Sequence, residues 1–585
     1  MIKEIESRKY FAKVPVDSRQ VCNNVNDIEF PYDGLLTFEK ESKKVKYMVD
    51  GLFKILSSGI YYNLRDNINI NADGITDDSA EIQKVINDIS SNGGGTLIFP
   101  RMNTNVYYLS TVQVSSNIRI TSESGVTIKL KDSPYLFEIQ GRDIIIDNIK
   151  IDCSELNTNG DNGIKGSIIV NRTNAGKISG NILIEHCHFT NIPLFADDKG
   201  NILQNTHAML FNCKDNIVRN NIIDQCGGDA INFNSGYNLA AGNIINNTYD
   251  GGIAYNNGAY GIICENTLNN CNLGVGSGHV ANKDDTDTEK YKLIVANNTF
   301  VNCNWGINFG WFGYNNKLAP RNFIISNNTF KNSVKYDFRY DGDNSSNKAR
   351  CLLCNNTSYG INTDNNDGAT NFFIINGGNL NIVNNMISGQ TNSSIGIVVK
   401  NSDRCIISNN NIEGATTGIE VADCMYSICT SNVIESGDVG ITSTDTSRGR
   451  ARYISIENNN IYNMNSKGIR VINSATLYSV CNNIIHMIDN TKVGIDLVGV
   501  SKKFICENNT LWQGKLTLNS GAADNYSISN NKLFNGTLGD GGSGSNKRVF
   551  NNMIFNTGDI YTPFKDEITS YVNFPQTSTN SNPTT

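Results

Sequence analysis

The sequence predicts an all-β chain wound as a parallel β-helix, in which short strands stack coil upon coil. Three observations lead there: a unit that recurs along most of the chain, period-two alternation inside each unit, and turn-forming residues where charge would ordinarily stand. Charged residues make up only 18% of the 585 positions, while the apolar fraction is an ordinary 39%. That fraction supports a packed core and excludes a disordered chain. Asn, Ser, Thr and 52 glycines take the place of charge, and these residues supply turns rather than solvated helix faces. A net charge of −7 without a basic patch argues against nucleic acid as a partner.

The repeat reads apolar-x-apolar-x-Asn-Asn-x-apolar, a short polar turn, then Gly-Ile-x-apolar. Examples are "LIVANNTFVNCNWGINF", "CIISNNNIEGATTGIEV" and "ISIENNNIYNMNSKGIRV". Asn pairs begin at 220, 297, 327, 355, 384, 409, 458, 482, 508, 530 and 551. Alternation makes each segment a strand with one face inward. The spacing leaves no room for crossover helices, so each unit is one coil of a β-helix. Asn at one turn of every coil would then hydrogen-bond to the Asn above and below it.

The start of the solenoid is the stretch "DGITDDSAEIQKVINDISSNGGGTLIFP". A first coil exposes an apolar cross-section that a terminal unit must cover. Asp78 and Glu81 have capping-box spacing. Ile82, Val85, Ile86 and Ile89 form one apolar stripe. "SNGGG" ends the helix, and "TLIFP" is the first strand. This helix is expected to be the lid.

With "NVYYLS" after it, the same stretch closely resembles the entry motif of the pectate-lyase-like right-handed β-helix superfamily, which includes pectinolytic enzymes and bacteriophage tailspikes. Over roughly residues 65 to 560 the resemblance implies a right-handed solenoid, and it leaves the reaction open. Residues 8 to 58, with "YDG" and "VDG" turns between short strands, look like a small module near the start of many phage tail proteins. The expected organisation is a virion-attachment-like module over 1–62, the capping helix and first coil over 63–116, the β-helix over 117–560, and a short strand with a flexible tail over 561–585. "MIKEIESRKYFAKVPVD" has no apolar run of secretory-signal length, and no transmembrane stretch appears. Those readings favour a spike released by lysis over a secreted pectinase. The resemblance implies a homotrimer that attaches to the virion tail or baseplate through its N-terminus and acts on a bacterial surface polysaccharide.

The 15 cysteines are odd in number and scattered about one per repeat, so they read as buried thiols rather than a disulfide framework. "CLLC" (Cys351, Cys354) lacks the second pair a zinc site needs. Neither a metal nor a cofactor is implied.

Glycoside hydrolysis needs two carboxylates at a set separation. Aligning the coils with Ile231, Ile253, Val275, Ile307 and Phe338 inward turns Asn232, Asn308, Arg339 and Asp341 outward. On that face the candidate catalytic carboxylates are Asp229 and Asp250, at equivalent turns of adjacent coils, with Asp337 and Asp341. His279, Trp311, Tyr314, Arg339 and Tyr340 are candidate glycan-binding residues, because ring faces stack on sugars while hydroxyls take polar partners. Glu420, Arg470 and Asp496 form a second cluster, read as a surface ion pair. His186 is read as a substitute in the Asn ladder. The expected activity is hydrolysis of a capsular or related polysaccharide. The alternatives are a lyase using His279, Arg339 and Tyr340, and a non-catalytic adhesin that binds glycan without shortening it.

Overall fold

The structure is a computed structural model. It describes residues 61–67, 69–155, 165–170, 180–196, 202–203, 206–256, 259–277, 292–310, 322–342, 350–361, 369–388, 394–446, 451–473, 476–499, 503–519, 526–540 and 547–555, with short strands at 21–22, 36–39, 44–49, 52–57 and 571–572. The chain forms two compact units, one of residues 1–193 with 208–222 and one of residues 194–207 with 223–585. Each is built as a right-handed parallel β-helix, with three strands to a coil and three parallel sheets.

In the first unit, Leu36–Glu39, Lys44–Val49 and Leu52–Ser57 pair antiparallel, and Val21–Cys22 pairs parallel with the first of them. The coils begin with Tyr61–Asn63 against Gly95–Phe99, which in turn pairs with Ile118–Ser122. Helix Ser79–Ser91 buries Ile82, Ile86 and Ile89 completely. It packs on Gly95–Phe99, Val112–Val114 and Ile118–Ser122, which places an apolar stripe over the opening strands. Gly94 ends the helix with φ +114°, and a Cβ there would stand 2.3 Å from the Asn117 carbonyl oxygen, so only glycine fits.

The expected capping box is absent. Asp78 makes no side-chain bond to the helix. Its carboxylate accepts instead from the Asn71 and Ala72 backbone N–H groups at 2.8 and 2.9 Å, tying down the segment before the helix. Glu81 pairs with Lys84 at 2.5 Å rather than reaching back. At the helix start the Ser79 N–H donates to Asp77 at 3.0 Å.

The second unit repeats one coil many times. Strands such as Lys292–Ala296 form its first sheet, Thr299–Val301 its second and Trp305–Phe309 its third. Each pairs in parallel with its counterpart one coil on. The two residues of each Asn pair do different work. The first sits in the left-handed region, as at Asn297, Asn327, Asn355 and Asn384, with φ between 54 and 59°. Asn tolerates that conformation better than other side-chain-bearing residues. The second turns inward and builds the ladder. Asn298 Nδ2 donates to Asn328 Oδ1 and to the Ile263 carbonyl, both at 3.0 Å. Asn298 Oδ1 accepts from the side chain and backbone N–H of Asn266, at 3.0 and 2.9 Å. Each such amide thus uses both donors and both lone pairs, and the chain of bonds runs from Asn243 to Asn552.

His186 in the first unit takes the left-handed place, with φ +53°. The ladder position in its coil belongs to Cys187, whose N–H donates to Asn221 Oδ1 at 2.9 Å. The described cysteines are free thiols, most of them buried. Cys351 faces the core while Cys354 is half-exposed. Burial pushes the thiols of Cys153 and Cys429 up to about 12.

Candidate functional site

The third sheet of the second unit carries the candidate residues. Its inward column is Ile231, Ile253, Val275, Ile307 and Phe338 in register, as the alternation predicts. The outward column is Asn232, Ala254, Gly276, Asn308, Arg339 and Phe373.

At one end lie Asp229 and Asp250. Asp229 is buried at the turn before Ile231–Phe233. Its Oδ1 accepts from the Gly251 N–H at 2.9 Å and its Oδ2 from the Asn232 amide at 2.6 Å. Asp250 is half-buried and adjoins that same Gly251. Burial raises the pKa of both carboxyls, and the charge of Asp229 raises that of Asp250 further. Two such groups do not ionise independently, and the two donors to Asp229 favour its ionised form over that of Asp250.

His207, which the sequence reading missed, faces this pair. Its Nδ1 lies 3.7 Å from Asp229 Oδ2, and burial lowers its pKa to about 4. The ring is therefore neutral and forms no ion pair. Nothing in "NTHAMLF" distinguishes His207, since that strand lacks the Asn-Asn and Gly-Ile marks that align the other coils.

Arg339 and Asp341 meet further along, where the Arg339 Nη2 donates to Asp341 Oδ2 at 2.9 Å. Trp305, Tyr336 and Phe373 surround the guanidinium, with ring centroids 5.2, 5.9 and 6.0 Å away. Burial lowers the Arg339 pKa and raises that of Asp341. Four coils separate this group from Asn232, about 19 Å at the inter-strand spacing. The four candidate carboxylates therefore do not form one site.

Two expectations are corrected. Tyr340 lies on the core side, 2% exposed, with its ring 5.1 Å from that of Phe323. Asp337 is wholly buried inside the coil, where the Ser358 hydroxyl donates to it at 2.5 Å and the Asn371 amide at 2.8 Å. Gly306 and Asp337 stand between the ladder pairs Trp305↔Tyr336 and Ile307↔Phe338, where the bend breaks simple alternation. His279, Trp311 and Tyr314 lie outside the described residues.

In the second cluster, Glu420, Thr442, Arg470, Asp496 and Thr517 are in register. Asp496 pairs with Lys467 at 2.5 Å and with Arg470 at 3.7 Å, while Glu420 pairs with Lys400 at 3.1 Å. Asp496 is itself buried, so it holds two cations at a partly desolvated site rather than in the surface ion pair expected, while Glu420–Lys400 is a separate pair.

No protein-family model matches the chain, and no curated protein does. Solved structures similar to it include a mutant tailspike protein of E. coli bacteriophage HK620 in complex with a hexasaccharide, at 13% identity, 87% coverage of this chain and 83% of that one, and a TM-score of 0.44. A mutant DFA-IIIase from Arthrobacter chlorophenolicus matches at 13% identity, 59% and 94% coverage, and a TM-score of 0.44. The pre-mature gene product 12 of bacteriophage phi29 matches at 13% identity, 83% and 73% coverage, and a TM-score of 0.42.

Proposed function

We propose that the chain is a phage tailspike depolymerase that binds a bacterial capsular or related surface polysaccharide and cleaves it by glycosidic hydrolysis. The observation that carries this reading is the Asp229–Asp250 pair, two carboxyls at neighbouring turns whose pKa values burial raises, with the charge of Asp229 raising that of Asp250 further. One acid and one carboxylate are what glycoside hydrolysis requires. Asp250, the more accessible of the two, donates its proton to the leaving glycosidic oxygen. Asp229, kept ionised by Gly251 and Asn232, serves as base toward water or as nucleophile. Neutral His207 borders Asp229. Asp341, which the buried Arg339 holds in place, contacts the glycan away from the bond that breaks, with His279, Trp311 and Tyr314 as further contacts.

The resemblance of the entry motif supports a homotrimer held to the virion by its N-terminal residues. An apolar row on the outer face of the second unit's first sheet supports self-association: Leu239, Ile262, Ile294, Ile324 and Leu352 stand in register, half-buried or exposed.

The test is mass spectrometry of candidate host polysaccharides after incubation with the protein, with ultraviolet absorbance followed alongside. Fragments that have gained water without new absorbance are expected, and Asp250→Asn should lower kcat about 100-fold or more. Unsaturated fragments would replace hydrolysis with a lyase reaction. Tight binding with no change of chain length would leave an adhesin.

A further inference from the structure

One corner of the second unit breaks the rule that the Asn pairs establish. Asn379, Arg404, Tyr426, Tyr453, Leu477 and Lys503 occupy equivalent places on successive coils, at the corner where the first sheet starts. All six are left-handed, with φ between 51 and 58°. Only Asn379 is of a type that adopts this conformation readily, and a bulky residue there is strained. Elsewhere in the same unit the left-handed corners go mostly to Asn. Backbone geometry alone would favour Asn in this column too, so its large side chains answer a different requirement.

All six are exposed. The Tyr426 and Tyr453 rings stack at 4.6 Å, 8° from parallel, yet remain 52% and 46% open. A groove of about 730 Å³ continues from them, lined by Tyr453, Leu477 and Lys503 on one side and by Ser455, Ser479 and Ile505 on the other. Lys503 lines the groove, Arg404 stands in the same column two coils before Tyr453, and neither has an ion-pair partner among the described residues. Five coil steps span about 24 Å, a length suited to an extended chain lying parallel to the solenoid axis.

The register also bears on who the partner is. The apolar outer row Ile262, Ile294, Ile324, Leu352 continues as Asn381, Ile406, Ile428, Ser455 and Ser479. Where the groove forms, Ser455 and Ser479 take two places of that row and the exposed Ile505 the third, with Lys503 at the edge. Half-open aromatic rings, hydroxyls and unpaired cations fit a glycan bearing carboxylates better than they fit a second copy of this chain.

We propose that this column is a second, non-catalytic binding track for an acidic polysaccharide, on a different sheet from the carboxylate pair. It holds the polymer while another stretch is processed, and its binding does not depend on cleavage.

The test uses the full chain on an array of immobilised acidic and neutral bacterial capsular polysaccharides. Binding is read on ice, and released fragments are collected from the same wells. Tyr453→Asn with Lys503→Asn is the informative double variant, because Asn suits the left-handed backbone and folding is retained. We expect the parent to bind acidic glycans, the double variant to bind them at least tenfold more weakly, and the thermal midpoint to hold or rise. Unchanged affinity in the double variant overturns the track, as does equal binding of neutral and acidic glycans, or no binding by the parent. A variant that dissociates into monomers shows the column to be a subunit contact and also overturns it. The fragments report on the hydrolase reading separately, so each proposal fails on its own readout.

Discussion

At the scale of single residues, the Asn pair divides two tasks between neighbours of identical chemistry. In the pair at 355 and 356, Asn355 is left-handed at φ +55°. Asn356 is buried and bonded to Asn385, Ile325 and Asn328. Substitution separates the roles. Asn355→Ala places alanine in the left-handed region at a cost of about 1–2 kcal/mol. Asn356→Ala leaves a buried N–H and carbonyl groups without partners, at about 1–3 kcal/mol for each group stranded. The thermal midpoint should therefore fall further for Asn356→Ala, and a reversed order would remove the ladder's energetic role. Which Asn does which was not legible in the sequence, because the repeat marks the pair without saying which member faces inward. Asp229 and Asp250 were legible as nearly equivalent turn positions, and the register sets Asp229 opposite Gly251, one residue from Asp250. Their shared burial and His207 were not, since both depend on a coil that lacks the repeat's marks.

At the scale of elements, packing explains the recurring glycine and its exception. A Cβ on Gly418 would come within 2.6 Å of both the Gly440 carbonyl oxygen and the Ile434 side chain. Glycine is thus required where a bulky core residue from the second sheet fills the space behind the bend. Asp337 holds the corresponding place in its coil and Asn371 in the next, and behind Asp337 the core residue shrinks: the column Phe300, Phe330, Ser358, Ile387 carries serine opposite it. Burial raises the Asp337 pKa to about 6 from the usual 3.8. Below pH 4 the group is protonated in both folded and unfolded chains and contributes no pH dependence. Between about pH 4 and 6 the folded chain holds the extra proton, so stability falls as pH rises, by on the order of 3 kcal/mol. Asp337→Asn should flatten that slope in denaturation midpoints taken across the range. An unchanged slope would assign it to other groups. The helix makes its own prediction: Ile82→Asp with Ile86→Asp should give aggregated protein by light scattering, because both side chains are fully buried. A soluble, well-folded double variant would show that the opening strands need no cover.

At the scale of the molecule, the coil-by-coil pattern was readable because repetition exposes register. One aligned column, Ile231 to Phe338, predicts the facing of its neighbours, and the observed pairing agrees with it. The reading failed at Asp337 and Tyr340, where a bend and a close aromatic core outweigh alternation. Association belongs to this scale as well. On the proposed homotrimer, Ile294→Glu with Ile324→Glu should give monomers in light scattering, since charge would interrupt the apolar outer row. An unchanged mass would place the contact elsewhere. The ladder also bears on how such a chain changes over generations. Successive rungs are 21 to 32 residues apart, yet each offers the next the same two bonds. Removing the segment from one rung to its neighbour, or copying it, rejoins identical half-bonds. Length can therefore vary in whole coils while loops vary freely within them, and a lineage can lengthen or shorten its solenoid by recombination without first solving a new packing problem.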